Sequence, residues 1–162
     1  MAARRSDGAP GLGSRREVTL YAESSAVLSW LFGEPSGEEA LRLLRSATRI
    51  FASELTLLEC ERAIHQAEAA GRLNARQAEA ARARLEAATG SWNVFRISAV
   101  IMNRARRPFP REPLRTLDAL HLATALRVGE FQAKLEVLTF DRRIRANALA
   151  LGVDVVPAPQ AD

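Results

Sequence analysis

The chain has 162 residues, of which 48% are hydrophobic and 26% are charged. That length suits one domain with a full hydrophobic core, and the composition is that of a folded protein rather than a disordered polymer. No apolar run reaches the roughly 18 residues of a spanning helix, and the N-terminus lacks the hydrophobic segment of a secretory signal. We therefore expect a cytosolic protein without a membrane role, in agreement with its single cysteine, Cys60.

The charge balance is basic, with a formal net charge of +4 and a pI of about 10.4. Almost every basic group is an arginine, whose planar fork matches the geometry of phosphate. Positive charge also favours approach to nucleic acid. A polyanionic partner is one interpretation of this composition, and the codon usage of a GC-rich genome is the other.

Residues 1–16 contain Gly, Ser, Pro and Arg with almost nothing apolar, which predicts a flexible basic tail. We expect the folded domain to comprise residues 17–158. It opens with an apolar run at 18–22 that predicts a buried strand, and Ser25 then offers an N-cap for a helix to residue 31.

An amphipathic helix is predicted at 36–46 and a strand at 49–52. Ser53 can cap a long helix that ends near Gly71, and the alanine- and arginine-rich stretch up to residue 88 should pair with it as a helical hairpin. A third strand is predicted at 92–97. A short helix then leads into a loop that contains three prolines.

In the last third, Thr116 can cap a helix to residue 128, and a strand follows at 135–139. A helix at 141–151 and a closing strand at 153–156 complete a βαβ ending. Apolar strands that alternate with helices predict an α/β fold in which helices cover both faces of a parallel sheet.

Four acidic residues lie where a predicted strand passes into a helix or where a helix begins. They are Glu23 in LYAESSA, Glu59 in ELTLLECERA, Asp118 in RTLDALHLATAL and Asp141 in LTFDRRI. Ligands of open parallel sheets bind beyond the carboxyl ends of the strands, where these junctions meet. We therefore expect the four carboxylates to converge.

Clustered carboxylates repel one another, and a divalent cation relieves that repulsion. Oxygen ligands without cysteine or paired histidines favour Mg²⁺ or Mn²⁺ over zinc. Such an ion can orient a phosphodiester and lower the pKa of a bound water. The pattern thus favours metal-dependent hydrolysis of a nucleic-acid backbone.

Each acid also has a simpler explanation. Asp118 can complement the dipole of its helix, Asp141 can be the N-cap of its own helix, and Glu59 can be a solvated helix residue. Glu23 is harder to explain in this way, because it directly follows a buried strand. His121, one turn after Asp118, could meet the site or have a structural role.

Several arginines lie near the carboxyl edge of the predicted sheet, where we expect the site. They could bind phosphates or belong to a solvated loop. They are Arg104, Arg106, Arg107, Arg111 and Arg115.

The blocks YAESSAVLSWL, SELTLLECERA, LRTLDALHLATAL and VLTFDRRIRANALALGV, in this order and spacing, resemble the PIN domain. The resemblance is closest to the toxins of VapBC toxin–antitoxin pairs and covers nearly all of the chain after residue 16. It implies a three-layer α/β/α domain with a central parallel sheet of four to five strands, and Mg²⁺- or Mn²⁺-dependent endoribonuclease activity. It also implies a VapB-type antitoxin as partner and a homodimer.

Carried over by position, the resemblance makes Glu23, Glu59, Asp118 and Asp141 the metal-binding and catalytic acids. Ser25 corresponds to the hydroxyl after the first acid, and Thr139 to the hydroxyl before the last, where both can hold metal-bound water or phosphate. The family usually has Asp where this chain has Glu23. A misplacement of about 1 Å can cost on the order of a hundredfold in rate, so the substitution raises a second hypothesis, a catalytically impaired module that binds RNA or protein.

Two other classes fit poorly. A phospho-acceptor receiver domain would need an acidic pair after the first strand and an acceptor Asp after the strand at 92–97, and neither is present. Nucleotide-binding Rossmann and P-loop functions lack their glycine-rich motifs.

Overall fold

The computed structural model describes residues 17–158, so the predicted tail at residues 1–16 lies outside the described residues. Within the described part, five strands form one sheet in the order β3-β2-β1-β4-β5, and every neighbouring pair is parallel. The strands are β1 (Thr19–Ala22), β2 (Arg49–Ser53), β3 (Asn93–Phe95), β4 (Leu135–Leu138) and β5 (Asp154–Val156).

Helices cover both faces of this sheet. They are α1 (Ser24–Leu31), α2 (Gly37–Ser46), α3 (Glu54–Ala69), α4 (Ala75–Thr89), α5 (Ala99–Ala105), α6 (Thr116–Gly129) and α7 (Arg142–Ala150). Side chains of β1 alternate between two cores, because successive residues of a strand point to opposite faces. Leu20 and Ala22 pack with α1 to α4, whereas Tyr21 packs with α6 and α7. The predicted three-layer α/β/α architecture is confirmed.

The element boundaries follow the predictions closely, with two corrections at helix starts. The N-cap of α1 is Glu23 and not Ser25, because the Glu23 carboxylate accepts the backbone N–H of Ser25. Helix α6 begins at Thr116, but its N-cap is Arg115, which makes no side-chain capping bond. Ser53 caps α3 as predicted, accepting from the backbone N–H of Thr56 at 3.2 Å.

Strand β3 is shorter than the predicted strand at 92–97. It lies at the edge of the sheet and pairs through Asn93, Val94 and Phe95 with β2 alone. Gly71 and Gly152, predicted to end their helices, both have the positive φ angles that favour glycine, +69° and +77°.

The carboxyl edge of the inner strands positions the candidate site. The chain runs from β1 outward through β2 to β3 and then returns to the other side of β1 as β4, so strand order reverses at β1. Ligands of doubly wound sheets bind beside such a reversal. No helix of the described residues is long and apolar enough to cross a membrane.

Candidate active site

Glu23 lies at the centre of the candidate site, directly after β1, and its residue surface is only 3% exposed. Its Oε1 accepts the Ser24 hydroxyl at 2.7 Å and the Ser25 backbone N–H at 3.1 Å. Its Oε2 accepts the Ser25 hydroxyl and, at 2.7 Å, the Thr139 hydroxyl. Four donors therefore compensate the burial of this carboxylate.

Two of those donors tie Glu23 to the loop after β4. The Ser25 hydroxyl also accepts the backbone N–H of Phe140 at 2.9 Å, and the Thr139 hydroxyl accepts that of Asp141 at 3.0 Å. The structure therefore brings together Glu23, Ser25 and Thr139, three of the predicted site residues. Asp141 is held beside them through its backbone.

Glu59 reaches the site through His121. One carboxylate oxygen of Glu59 lies 2.5 Å from His121 Nε2, and the side chain of Glu59 is 24% exposed. His121 is buried, with Nε2 3.9 Å from Glu23 Oε1 and Nδ1 3.0 Å from the Tyr21 hydroxyl. A neutral imidazole that donates from Nε2 to Glu59 accepts the Tyr21 hydroxyl at Nδ1. His121 thus contacts the site, and Glu59 is not the solvated residue of the simpler explanation.

Asp118 occupies the first turn of α6 and is 9% exposed. Its Oδ2 is buried and has no hydrogen-bond partner among the described residues. Burial raises the pKa of this carboxyl, the charges of Asp141 and Glu23 raise it further, and Arg115 partly counteracts them. Asp118 therefore lies in the field of two other predicted site acids and lacks a compensating donor at one oxygen.

Asp141 serves as the N-cap of α7. Its Oδ1 accepts the backbone N–H groups of Arg143 and Ile144, at 2.7 and 3.0 Å. The capping role of the simpler explanation is therefore correct. Capping uses one carboxylate oxygen of Asp141, and the charge of the same carboxylate raises the pKa of Asp118.

The donor chemistry of these four acids fits Mg²⁺ or Mn²⁺, because all donors are carboxylate oxygens and the buried Asp118 Oδ2 lacks a partner. Within residues 17–158, however, no three His, Cys, Asp or Glu side chains lie together in an arrangement that could hold a metal ion. Hydroxyl groups occupy Glu23, and His121 occupies Glu59. Joint coordination by these acids requires some of them to exchange their present partners for the ion.

The predicted arginines do not act as one group. The Arg104 guanidinium stacks on the Phe109 ring, 4.1 Å from its centroid, while Arg106 and Arg107 line a groove of about 460 Å³ beside that ring. Arg115 is the one whose charge acts on Asp118. Phosphate contacts by these arginines stay a prediction.

Sequence reasoning did not identify Tyr21 and Ser24 as site residues. Tyr21 is fully buried, and burial raises the pKa of its phenol, so it stays neutral as the partner of His121. In the sequence Tyr21 is one apolar strand residue among others. Its partner lies 100 residues away, a separation that no local pattern indicates.

The structure is a three-layer α/β/α domain with acidic side chains beside the point where strand order reverses. These two features together define the class of protein. The model of the PIN domain family matches residues 20–149 of this chain. The chain is 32% identical over 139 residues to Ribonuclease VapC46 of Mycobacterium tuberculosis, covering 86% of this chain and 97% of that protein. The chain therefore belongs to the PIN domain family.

Solved structures show the same fold. FitAcB from Neisseria gonorrhoeae has a TM-score of 0.64 and 17% identity, covering 84% of this chain and 95% of the other. A toxin–antitoxin complex from Klebsiella pneumoniae has a TM-score of 0.55 and 23% identity over 86% and 96% of the two chains.

Proposed function

We propose that this chain is a VapC-type endoribonuclease, the toxin of a type II toxin–antitoxin pair, which hydrolyses RNA phosphodiester bonds with Mg²⁺ or Mn²⁺. The observation that carries the proposal is the buried Oδ2 of Asp118, which has no hydrogen-bond partner within residues 17–158 and is exposed to the charges of Glu23 and Asp141. Membership of the PIN family and the identity to a ribonuclease over almost its whole length support the reaction class.

In this proposal Asp118 and Glu23 hold the metal, and Asp141 and Glu59 complete the acidic set. When bound, the ion activates water and neutralises charge on the phosphodiester. Ser25 and Thr139 hold the Glu23 carboxylate and stand next to the same space, where their hydroxyls can contact a water or a phosphate oxygen. Each hydroxyl carries one proton, so a hydroxyl that donates to the substrate no longer donates to Glu23 Oε2 and leaves that oxygen available to the ion.

Cleavage of total RNA by the purified, antitoxin-free protein tests the proposal. We expect cleavage with Mg²⁺ or Mn²⁺, none with EDTA, and a loss of at least about a hundredfold in Asp118→Asn. Glu61→Gln, at an exposed acid of α3, is the control because it removes the same unit of charge away from the site. Equal cleavage by wild type and Asp118→Asn would overturn the assignment.

The second candidate function is a module that binds RNA or protein without cutting it. The observation that favours it is the saturation of both Glu23 oxygens by hydrogen bonds, on a side chain one methylene longer than the usual Asp. Under this alternative, the wild type binds RNA and leaves it intact at every Mn²⁺ concentration.

We propose an antitoxin of the VapB type as partner, which the structural likeness to a toxin–antitoxin complex supports at the level of the fold. If a small DNA-binding protein is encoded next to this chain, its co-expression should relieve toxicity and yield a stable complex. The family resemblance also leads us to propose a homodimer. Light scattering of the isolated protein would then give about twice its mass of 17.7 kDa.

A further inference from the structure

A groove between α2 and α7 opens on the same edge of the sheet as the candidate active site. It is lined by Ser36 and Glu39 of the α2 start, by Phe140 after β4, by Arg142 and Arg145 of α7, and by Pro157 after β5. Its volume is about 620 Å³. Phe140 lies between Thr139 and Asp141 in the chain, so the groove adjoins the acidic site directly.

Two guanidinium groups of this groove form no ion pair within residues 17–158. Arg145 donates from Nη2 to the backbone oxygen of Thr139 at 2.9 Å, while its Nη1 is shielded from solvent and lacks an acceptor there. Burial lowers the pKa of this guanidinium. Arg142 is exposed one residue after Asp141. The acid in the groove, Glu39, already accepts Arg42 at 3.0 Å and is therefore compensated.

Unpaired guanidinium groups beside a polyanion-cleaving site match phosphate, because the arginine fork donates two parallel hydrogen bonds to an anion's oxygens. We propose that this groove is a subsite for the RNA backbone next to the scissile nucleotide, in which Arg142 and Arg145 contact phosphate and the Phe140 ring faces a base. The proposal rests on the ribonuclease function proposed above. Beyond that function, it identifies the groove through which the RNA strand would leave the acidic site.

The hydrogen bond from Arg145 to the backbone oxygen of Thr139 connects the groove to the acidic site. The same Thr139 donates its hydroxyl to Glu23. A phosphate that attracts the Arg145 guanidinium toward the groove offers an acceptor to its unpaired Nη1. RNA binding thereby removes the cost of a buried donor without a partner.

Binding of a short fluorescein-labelled single-stranded RNA, measured by anisotropy in EDTA at several salt concentrations, tests the subsite without cleavage. We expect Arg142→Ala to weaken binding about tenfold, as the loss of a charged hydrogen bond predicts. In Arg142→Ala/Arg145→Ala, the slope of log K against log salt should become shallower by about 1.4, since each phosphate contact on a single strand contributes about 0.7. Arg76→Ala, at an exposed position of α4, is the charge-matched control.

Phe140→Leu separates stacking from charge. It should weaken RNA binding about fivefold or more with the salt slope unchanged, because stacking of a base on an aromatic ring is not electrostatic. Arg142→Ala keeps the test decisive if the double variant does not fold, since Arg142 is exposed and makes no bond to Thr139.

Binding by Arg142→Ala equal to that of Arg76→Ala would overturn the subsite. So would weaker binding of an antitoxin with RNA binding unchanged, since the groove would then be a protein contact. The cleavage assay with Asp118→Asn is a separate measurement. If that variant loses cleavage while the arginine variants bind normally, the ribonuclease proposal stands and the subsite falls.

Discussion

Glu23 has a carboxylate held by four hydrogen-bond donors, from Ser24, from the backbone and side chain of Ser25, and from Thr139. These contacts position a side chain of the length of glutamate. The usual aspartate would withdraw the carboxylate by one methylene, away from the donors that compensate its burial. The local geometry therefore accommodates glutamate at position 23. A shorter side chain there should lower the activity.

We expect Glu23→Asp to reduce RNA cleavage by about 10- to 100-fold, because a shift of about 1 Å at a reacting centre has a cost of that order. Initial rates with a labelled RNA in Mn²⁺ measure the change, and Glu61→Gln serves again as the control. A gain in rate would instead mark the native chain as the impaired module of the second hypothesis.

His121 lies between Glu59 and Glu23, with Nε2 2.5 Å from an oxygen of Glu59 and 3.9 Å from Oε1 of Glu23. His121→Ala removes the partner of both Glu59 and the Tyr21 hydroxyl, whereas Tyr21→Phe removes one neutral hydrogen bond. We expect losses in the free energy of unfolding of about 2–3 kcal/mol and about 1 kcal/mol. Urea denaturation of the metal-free protein provides both values. Equal losses for the two variants would show that the Glu59 contact does not stabilise the fold.

At the scale of elements, helix α7 begins with an acid that has two tasks. Asp141 caps the helix through Oδ1, and its charge acts on Asp118. Asn keeps an oxygen that can cap but removes the charge, whereas Ala removes both. The two substitutions thus separate folding from chemistry at one position.

We expect Asp141→Asn to keep the stability within about 0.5 kcal/mol and to lose most of the cleavage activity. Asp141→Ala should lose the activity and also about 1 kcal/mol of stability, the usual contribution of an N-cap. Thermal unfolding and the RNA assay together give the comparison. Equal stability of the two variants would argue against the cap seen in the structure.

The elements themselves were largely predictable from the sequence. Periodicity and capping residues report local burial and backbone geometry, so the alternation of strands and helices, Ser53 as a cap and Gly71 as a stop followed directly. Strand β3 was overestimated, because the apolar run does not indicate that only three of its residues pair with β2.

The candidate site was predictable at the level of positions and less so at the level of contacts. The four acids were expected to converge because junctions of parallel strands meet at one edge. The structure places Glu23 beside Thr139. Glu59 reaches Glu23 only through His121. The Glu59–His121–Tyr21 chain was not found, since its members come from three elements and their side-chain directions depend on tertiary packing. The cap of α1 was misassigned for a related reason: Glu23 accepts the N–H of Ser25, although Ser is the commoner cap.

At the scale of the whole molecule, hydrogen bonds within the fold hold both oxygens of Glu23 and one oxygen each of Glu59 and Asp141. We therefore expect the chain to fold before it binds a metal. An ion that binds only the folded state stabilises it by mass action. The proposed metal should therefore shift the thermal midpoint of a protein that folds without it.

We expect Mn²⁺ at about a hundred times its Kd to add about 2.7 kcal/mol, which corresponds to a rise in Tm of about 5–10 °C for a domain of this size. Asp118→Asn should lose this rise, and Glu61→Gln should keep it. Differential scanning fluorimetry with and without Mn²⁺ measures the shift. A rise of equal size in Asp118→Asn would place the ion elsewhere.

The strand order has a consequence for how this site withstands local unfolding. Glu23, Thr139 and the helix that carries Glu59 follow β1, β4 and β2, the three inner strands, whereas the outer strands β3 and β5 each have one neighbour. Opening of a protein usually starts at elements with few contacts. Amide hydrogens of β3 and β5 should then exchange with solvent well before those of β1, so the outer strands can fray while the residues proposed to cut RNA keep their arrangement.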